Sequence, residues 1–206
     1  WKGVLPPLPD KPLLVFVSHR HEDHFNPAVF ALADRKADIQ FLLGNDFHLT
    51  PHNLTKWQLS PEIAAKCRRC GKHGTFTPLP GVTVETFPST DEGVAWMVTV
   101  NGQSIFHAGD LNWWHWAEED LAWNRNMEAN FKRYTEPLRG RRVDLAMLPL
   151  DSRLKMDGYL GPNYFLNLME VRRFLPMHQW EDFAFTDEFL SAYPPVSYTY
   201  LTLPTI

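Results

Sequence analysis

Leu13-Leu14-Val15-Phe16-Val17-Ser18-His19-Arg20-His21-Glu22-Asp23-His24 is the stretch on which the fold of this chain turns. Its first five residues are continuously apolar and read as a strand buried on both faces, ending at Ser18. Ligand-type side chains begin directly after it. In an extended segment residues two apart point the same way, so His19 and His21 can reach one ion together. The chain must then turn between Glu22 and Phe25, which swings Asp23 and His24 toward a second position. Imidazole nitrogen and carboxylate oxygen are donors that zinc and similar divalent ions accept. The competing reading is a polar, histidine-rich loop that binds nothing. Four ligand types packed into His19–His24 at a strand end weigh against it.

Working outward, other strand ends carry matching residues. His107-Ala108-Gly109-Asp110 follows an expected strand from Gln103 to Phe106, and Asp110 can offer both carboxylate oxygens. His178 follows the last short strand, within Pro176-Met177-His178-Gln179-Trp180. A single histidine after a strand is commonly structural; three strand-end segments with ligand types point to a metal centre.

Between these points the pattern alternates strands and helices. Asn26-Pro27 predicts a helix start, with Asn as cap and Pro in the first turn. Ile39 to Leu43 predicts a short strand closed by Gly44-Asn45-Asp46. Phe47 to Pro80 reads as an irregular, turn-rich excursion with one short helix near Pro61 to Lys66. Val82 to Phe87 predicts a strand, and Val94 to Val100 with Gln103 to Phe106 a hairpin around Asn101-Gly102. Helices are expected over Glu118 to Leu138, Asn163 to Phe174 and Asp187 to Tyr193, with a buried strand over Val143 to Leu148. The strands are expected first as antiparallel pairs and later in alternation with helices.

At 206 residues and 44% hydrophobic composition, the chain suits one domain with its own core. Residues 1–194 are taken as that domain. Residues 195–206 carry no helix signal and little charge; they resemble translated adapter read-through, with an ordinary C-terminal strand as the alternative. A net charge of -4 supplies no overall attraction for nucleic acid. No apolar run is long enough for a bilayer, and the proline-rich start lacks the apolar core of a secretion signal. With only two cysteines, Cys67 and Cys70, a disulfide-built scaffold is excluded and the cytoplasm is the expected compartment.

The His-x-His-x-Asp-His string with its later His and Asp resembles the hallmark of the metallo-β-lactamase fold superfamily of hydrolases. The resemblance runs from about Leu13 to Trp180. Phe106-His107-Ala108-Gly109-Asp110 is most similar to the branch holding ascorbate-phosphate lactonases and uncharacterised bacterial hydrolases. The resemblance implies an α/β (α+β) fold, an αββα sandwich of two mixed sheets flanked by helices, here lacking an N-terminal strand. It implies that His19 and His21 hold a first metal, that Asp23, His24 and His178 hold a second, and that Asp110 bridges. Zinc is the implied cofactor, as one or two ions, with manganese or iron as alternatives. The implied reaction is attack of metal-activated hydroxide on a lactone, ester or phosphoester of a small molecule. Asp23 and Asp110 are its catalytic carboxylates, with Asp23 orienting the nucleophile.

One position departs from the family pattern. The third histidine of the first metal belongs after Val82 to Phe87, where the sequence is Pro88-Ser89-Thr90-Asp91-Glu92-Gly93. Ser89 stands about where the ligand should. Asp91 could replace it, water could fill the position, or only the second metal is tightly held; Asp91 and Glu92 also read as turn residues. Two alternatives therefore stay open: a nuclease or phosphodiesterase of the same superfamily, and a degenerate member that binds metal without catalysis.

Trp113 and Arg153 are candidates for substrate contact. Trp113 would wall a pocket, or else pack the long helix onto the sheet. Arg153 would hold an anionic group, or else form a surface salt bridge. Cys67-x-x-Cys70-x-x-His73 is expected to be reduced thiols rather than a zinc knuckle completed by His48 or His52. The expected partner is a small-molecule substrate, with neither membrane nor nucleic acid, and with self-association left open.

Overall fold

The computed structural model describes residues 7–194 and 199–200. Of the tail at 195–206, only Thr199–Tyr200 falls among them; the remainder of that expectation lies outside the described residues. The chain divides into two compact units, Trp1–Cys70 and Gly71–Ile206.

In the first unit, β1 (Leu13–Val17), β2 (Ile39–Leu43) and β3 (Cys67–Arg69) form a sheet in that order, with every pairing parallel. This corrects two expectations: the early strands are not antiparallel pairs, and this sheet is not mixed. Parallel neighbours need a crossover of a dozen or more residues, and the sequence supplies one each time. A 3₁₀ turn (Pro27–Ala31) and α1 (Leu32–Arg35) lie between β1 and β2; α2 (Pro51–Lys56) and α3 (Pro61–Ala64) lie between β2 and β3. Three of these helical starts repeat one device. Asn26, Thr50 and Ser60 each accept a backbone N–H with the side chain, and a proline follows in the first turn. The supposed irregular excursion therefore holds two short helices and a strand, besides β4 of the second unit.

An aromatic cluster fills this unit. Phe25, immediately after the histidine string, sets its ring 4.8 Å from Phe47, 5.6 Å from Trp57 and 5.7 Å from Phe30. Burying a ring of this size contributes about 1.5–3 kcal/mol. Phe25 thus ties the end of the ligand loop to the core.

Among the described residues the second unit holds nine strands. β4 (Gly74–Leu79), β5 (Val82–Pro88), β6 (Val94–Val100) and β7 (Gln103–His107) run antiparallel to one another. β9 (Leu145–Pro149) joins β7 in parallel, β11 (Arg173–Met177) joins β9, and β12 (Thr199–Tyr200) joins β11. The result is a mixed seven-stranded sheet in the order β12-β11-β9-β7-β6-β5-β4. β8 (Arg142–Val143) and β10 (Glu170–Val171) pair separately as a short parallel ribbon. The hairpin at Asn101-Gly102 forms as the sequence predicts, with φ of 51° and 75° at its two corner residues.

Among the described residues this unit also holds three α-helices, α4 (Leu121–Thr135), α5 (Leu160–Leu168) and α6 (Ala184–Ala192), besides two 3₁₀ turns. Asp120 caps α4 by accepting the Trp123 N–H at 2.7 Å. The helix expected from Asn163 to Phe174 in fact ends at Leu168, because Glu170–Val171 and Arg173–Met177 are claimed by strand pairing. The core joins helices to sheet through Phe131, Phe165 and Phe189 against Phe106, Ala146, Leu148 and Phe174. Phe106 lies 5.5 Å from Phe165, and Phe174 lies 6.0 Å from Phe189. Among the described residues no helix is long and apolar enough to cross a membrane.

One consequence of the topology matters for function. β7, β9 and β11 are parallel neighbours, so their C-terminal ends share one edge of the sheet. The carboxyl edge of parallel strands is where open α/β sheets place their sites.

Candidate metal centre

In the first unit the histidine string is held from both sides. β1 and β2 end in register at Val17 and Leu43, so Ser18 and Gly44 emerge side by side. A Cβ on Gly44 would sit 1.9 Å from the Ser18 carbonyl oxygen, which leaves room for glycine alone. Two residues on, Asp46 accepts the Arg20 backbone N–H at 2.9 Å and its Nε–H at 3.2 Å. The chain then turns back on itself: the N–H groups of His24 and Phe25 both donate to the His21 carbonyl, at 3.0 and 2.8 Å.

This frame brings three imidazoles together. The His19 ring lies 4.6 Å from that of His21 and 4.2 Å from that of His24. Ser18 Oγ is 3.0 Å from His19 Nδ1 and 3.3 Å from His24 Nδ1. His19 Nε2 and His21 Nδ1 face each other at 3.1 Å, and Asp23 Oδ2 lies 3.5 Å from His24 Nε2. His19 is fully buried, whereas His21 and Asp23 are exposed. Imidazole nitrogens turned toward one another, with a carboxylate beside them, are a donor set suited to a zinc-like divalent ion.

In the second unit, Asp110, Asp151 and His178 follow the C-terminal ends of β7, β9 and β11. Gly109, at φ 56°, makes the left-handed turn that precedes Asp110. Thr90, at the end of β5, fastens the segment beyond: its hydroxyl lies 3.2 Å from the Asp110 carbonyl and 2.7 Å from that of Asn112, and it accepts the Asn112 N–H at 3.0 Å. The Trp114 indole N–H donates to the Asp110 carbonyl at 2.9 Å.

His178 stands between two carboxylates. Its Nε2 lies 3.0 Å from Asp110 Oδ1 and its Nδ1 lies 3.4 Å from Asp151 Oδ2. Burial pushes its pKa down, but the two facing carboxylates outweigh burial and raise it to about 9. Burial likewise pushes the Asp151 carboxyl up; hydrogen bonds from His178, Arg153 and Trp180 outweigh that and hold it well below the usual carboxylate range. The backbone here is left-handed, with φ of 60° at His178, 47° at Trp180 and 64° at Glu181. Such conformations cost non-glycine residues roughly 1–3 kcal/mol each where they are strained, and they collect at functional sites.

Other sequence candidates sit as follows. Ser89 is buried and its hydroxyl accepts the Asp91 N–H at 3.1 Å, while the Asp91 side chain is exposed on the turn after β5. Arg153 grips Asp151 with Nε at 2.9 Å and Nη2 at 2.6 Å. Trp113 packs on Phe131 and Tyr164, with Lys132 Nζ 4.6 Å from its ring, so it joins the helix-to-sheet core. Cys67 and Cys70 are free thiols whose pKa burial pushes up to about 11. The sequence reading missed Asp46, Thr90 and Asp151 as the groups that fix the candidate ligands. None carries a local signal, because each meets its partner across a long stretch of chain.

No protein-family model matches the chain. A UPF0173 metal-dependent hydrolase of Nitratidesulfovibrio vulgaris (Hildenborough) is 26% identical over 186 residues, covering 87% of this chain and 67% of the relative. Among solved structures, a provisionally named metal-dependent hydrolase from Parabacteroides distasonis superposes with a TM-score of 0.60 at 16% identity, covering 93% of this chain and 77% of that one. The metallo-β-lactamase fold protein YhfI of Bacillus subtilis gives 0.56 at 10% identity, covering 92% and 74%.

Proposed function

We propose that the chain is a metal-dependent hydrolase of the metallo-β-lactamase fold superfamily, acting on a lactone, ester or phosphoester bond of a small molecule. The observation that carries this reading is the loop after β1. Three imidazoles and a carboxylate meet there in a frame built by Ser18, Gly44 and Asp46, and none of them is needed for the apolar core of that unit. The relationship to UPF0173 metal-dependent hydrolases supports it.

By the family pattern, His19, His21, Asp23 and His24 in the first unit and Asp110 and His178 in the second are the metal ligands, and zinc is the metal that suits these donors best. What such an ion supplies when bound is Lewis acidity and activation of water near neutral pH. The chain's own residues do the rest. Asp23, exposed beside His24, is placed to accept a proton and orient the nucleophile. Asp110, buried with its backbone locked by Thr90, offers carboxylate oxygens that do not wander. His178 presents Nε2 toward Asp110 at 3.0 Å. Ser89 leaves the first ligand set one imidazole short of the family pattern, which supports weaker metal binding by His19 and His21.

The test is hydrolysis of chromogenic lactones, carboxylate esters and phosphodiesters by zinc-loaded protein, with Asp110→Asn beside it. Turnover of at least one class, abolished by chelator and lowered about 100-fold or more by the substitution, is expected. Turnover that persists unchanged in Asp110→Asn would overturn the assignment of that carboxylate.

A further inference from the structure

Asp151 is fully buried, and no part of the hydrolytic reading assigns it a task. A buried carboxylate without partners would cost several kcal/mol, so what surrounds it is informative. Oδ1 accepts the Arg153 backbone N–H at 3.0 Å and the Nε–H at 2.9 Å. Oδ2 accepts Arg153 Nη2 at 2.6 Å and the Trp180 indole N–H at 3.2 Å. The same Oδ2 faces His178 Nδ1 at 3.4 Å. The carboxylate is thus clamped by two donors of the Arg153 fork, the Arg153 backbone N–H and an indole N–H, and its Oδ2 also faces one ring nitrogen.

The clamp is itself supported. The Arg153 guanidinium carbon lies 4.4 Å from the Trp180 ring centre and 5.6 Å from that of Trp116. Trp116 stacks on Trp114 at 6.3 Å with 7° between planes, and Trp114 lies 5.7 Å from the His178 ring. Arg153, a candidate for gripping substrate on sequence grounds, already spends its fork on Asp151. Trp114 and Trp180, ring neighbours of His178, both belong to this assembly.

A neutral imidazole carries one N–H, and the other nitrogen holds the lone pair that a metal needs. A clamped anion beside Nδ1 favours the proton there and leaves Nε2 as the donor. We propose that Asp151, held by Arg153 and Trp180, is the positioning residue that fixes His178 in the Nδ1–H tautomer, so that Nε2 is its metal-binding nitrogen. This deepens the hydrolase reading and rests on His178 being a metal ligand. It also gives Arg153 a role in metal affinity rather than in substrate recognition.

The experiment measures zinc affinity of the full chain by competition with a chromogenic chelator, for wild type and for Asp151→Asn, Arg153→Met and His178→Ala. Long-range proton–nitrogen NMR of the zinc-loaded wild type reads the His178 tautomer. The expected result is zinc binding weakened about 10–100-fold in Asp151→Asn, less in Arg153→Met, with an unchanged circular dichroism spectrum. Wild-type His178 should show a protonated Nδ1. Wild-type affinity in a folded Asp151→Asn chain, with His178→Ala weakened, would overturn the proposal and leave the metal reading standing. Wild-type affinity in His178→Ala would overturn both. Should Asp151→Asn fail to fold, the tautomer decides alone: zinc on Nδ1 in the wild type overturns the proposal.

Discussion

The carboxylates of Asp110 and Asp151 raise the pKa of His178 to about 9, so its ring holds an extra proton at neutral pH when no ion is bound. Two consequences follow at the scale of this residue. Its folded pKa lies above the ordinary value near 6.5, so its contribution to the stability of metal-free protein is full below about pH 6.5 and is lost as pH rises through about 9. Urea midpoints of the metal-free chain should therefore fall over that window, and the fall should vanish in His178→Ala. Zinc must also displace that proton, so adding zinc at pH 7 to 8 in weak buffer should release it, with release declining above about pH 9. A wild-type release no greater than that of His178→Ala would contradict this. The candidate ligand residues were legible in the sequence, since four positions inside His19–His24 and two later strand ends carry them. Asp46 and Asp151 were not, because their meaning lies in partners 26 and 27 positions away along the chain (Arg20 and His178).

At the scale of elements, the site depends on where strands end and what fastens the loops beyond. Replacing Gly44 by Ala drives a Cβ into the Ser18 carbonyl, so the β1 loop must shift. A loss of about 2 kcal/mol or more in unfolding free energy is expected from such a clash, with zinc affinity falling alongside. Thr90→Val removes the hydroxyl that ties the Asp110–Asn112 backbone. It should cost about 1–3 kcal/mol, whereas loss at a surface threonine such as Thr55 should be much smaller; equal losses would show that the Thr90 tie is unimportant. Sequence patterning found the long, apolar or hairpin elements. It missed β3, whose Cys67-Arg68-Arg69 has no strand periodicity and is a strand only because β2 pairs with it. It ran the α5 helix on into β10 and β11 because apolar spacing persists there, and only pairing with β8 and β9 decides otherwise.

For the whole molecule, the resemblance was legible because it is carried by short strings at the ends of strands, here after β1, β7 and β11. The parallel order of the first sheet was not, since it depends on what crossover segments do between strands. If the proposed ligands hold a metal, the ion should stabilise the folded chain. Zinc at about 1,000 times its dissociation constant should add about 4 kcal/mol to unfolding, visible as a raised melting temperature that chelator reverses. An unaltered melting curve would show that the metal binds the unfolded chain equally well or not at all.

The most direct test of a metal-dependent centre is metal content per chain, by elemental analysis of protein purified without chelator. About one to two zinc ions per folded chain is the predicted result, with about one if the Ser89 position leaves His19 and His21 unable to hold an ion tightly. A folded chain that stays metal-free after zinc, manganese or iron is supplied would contradict the account.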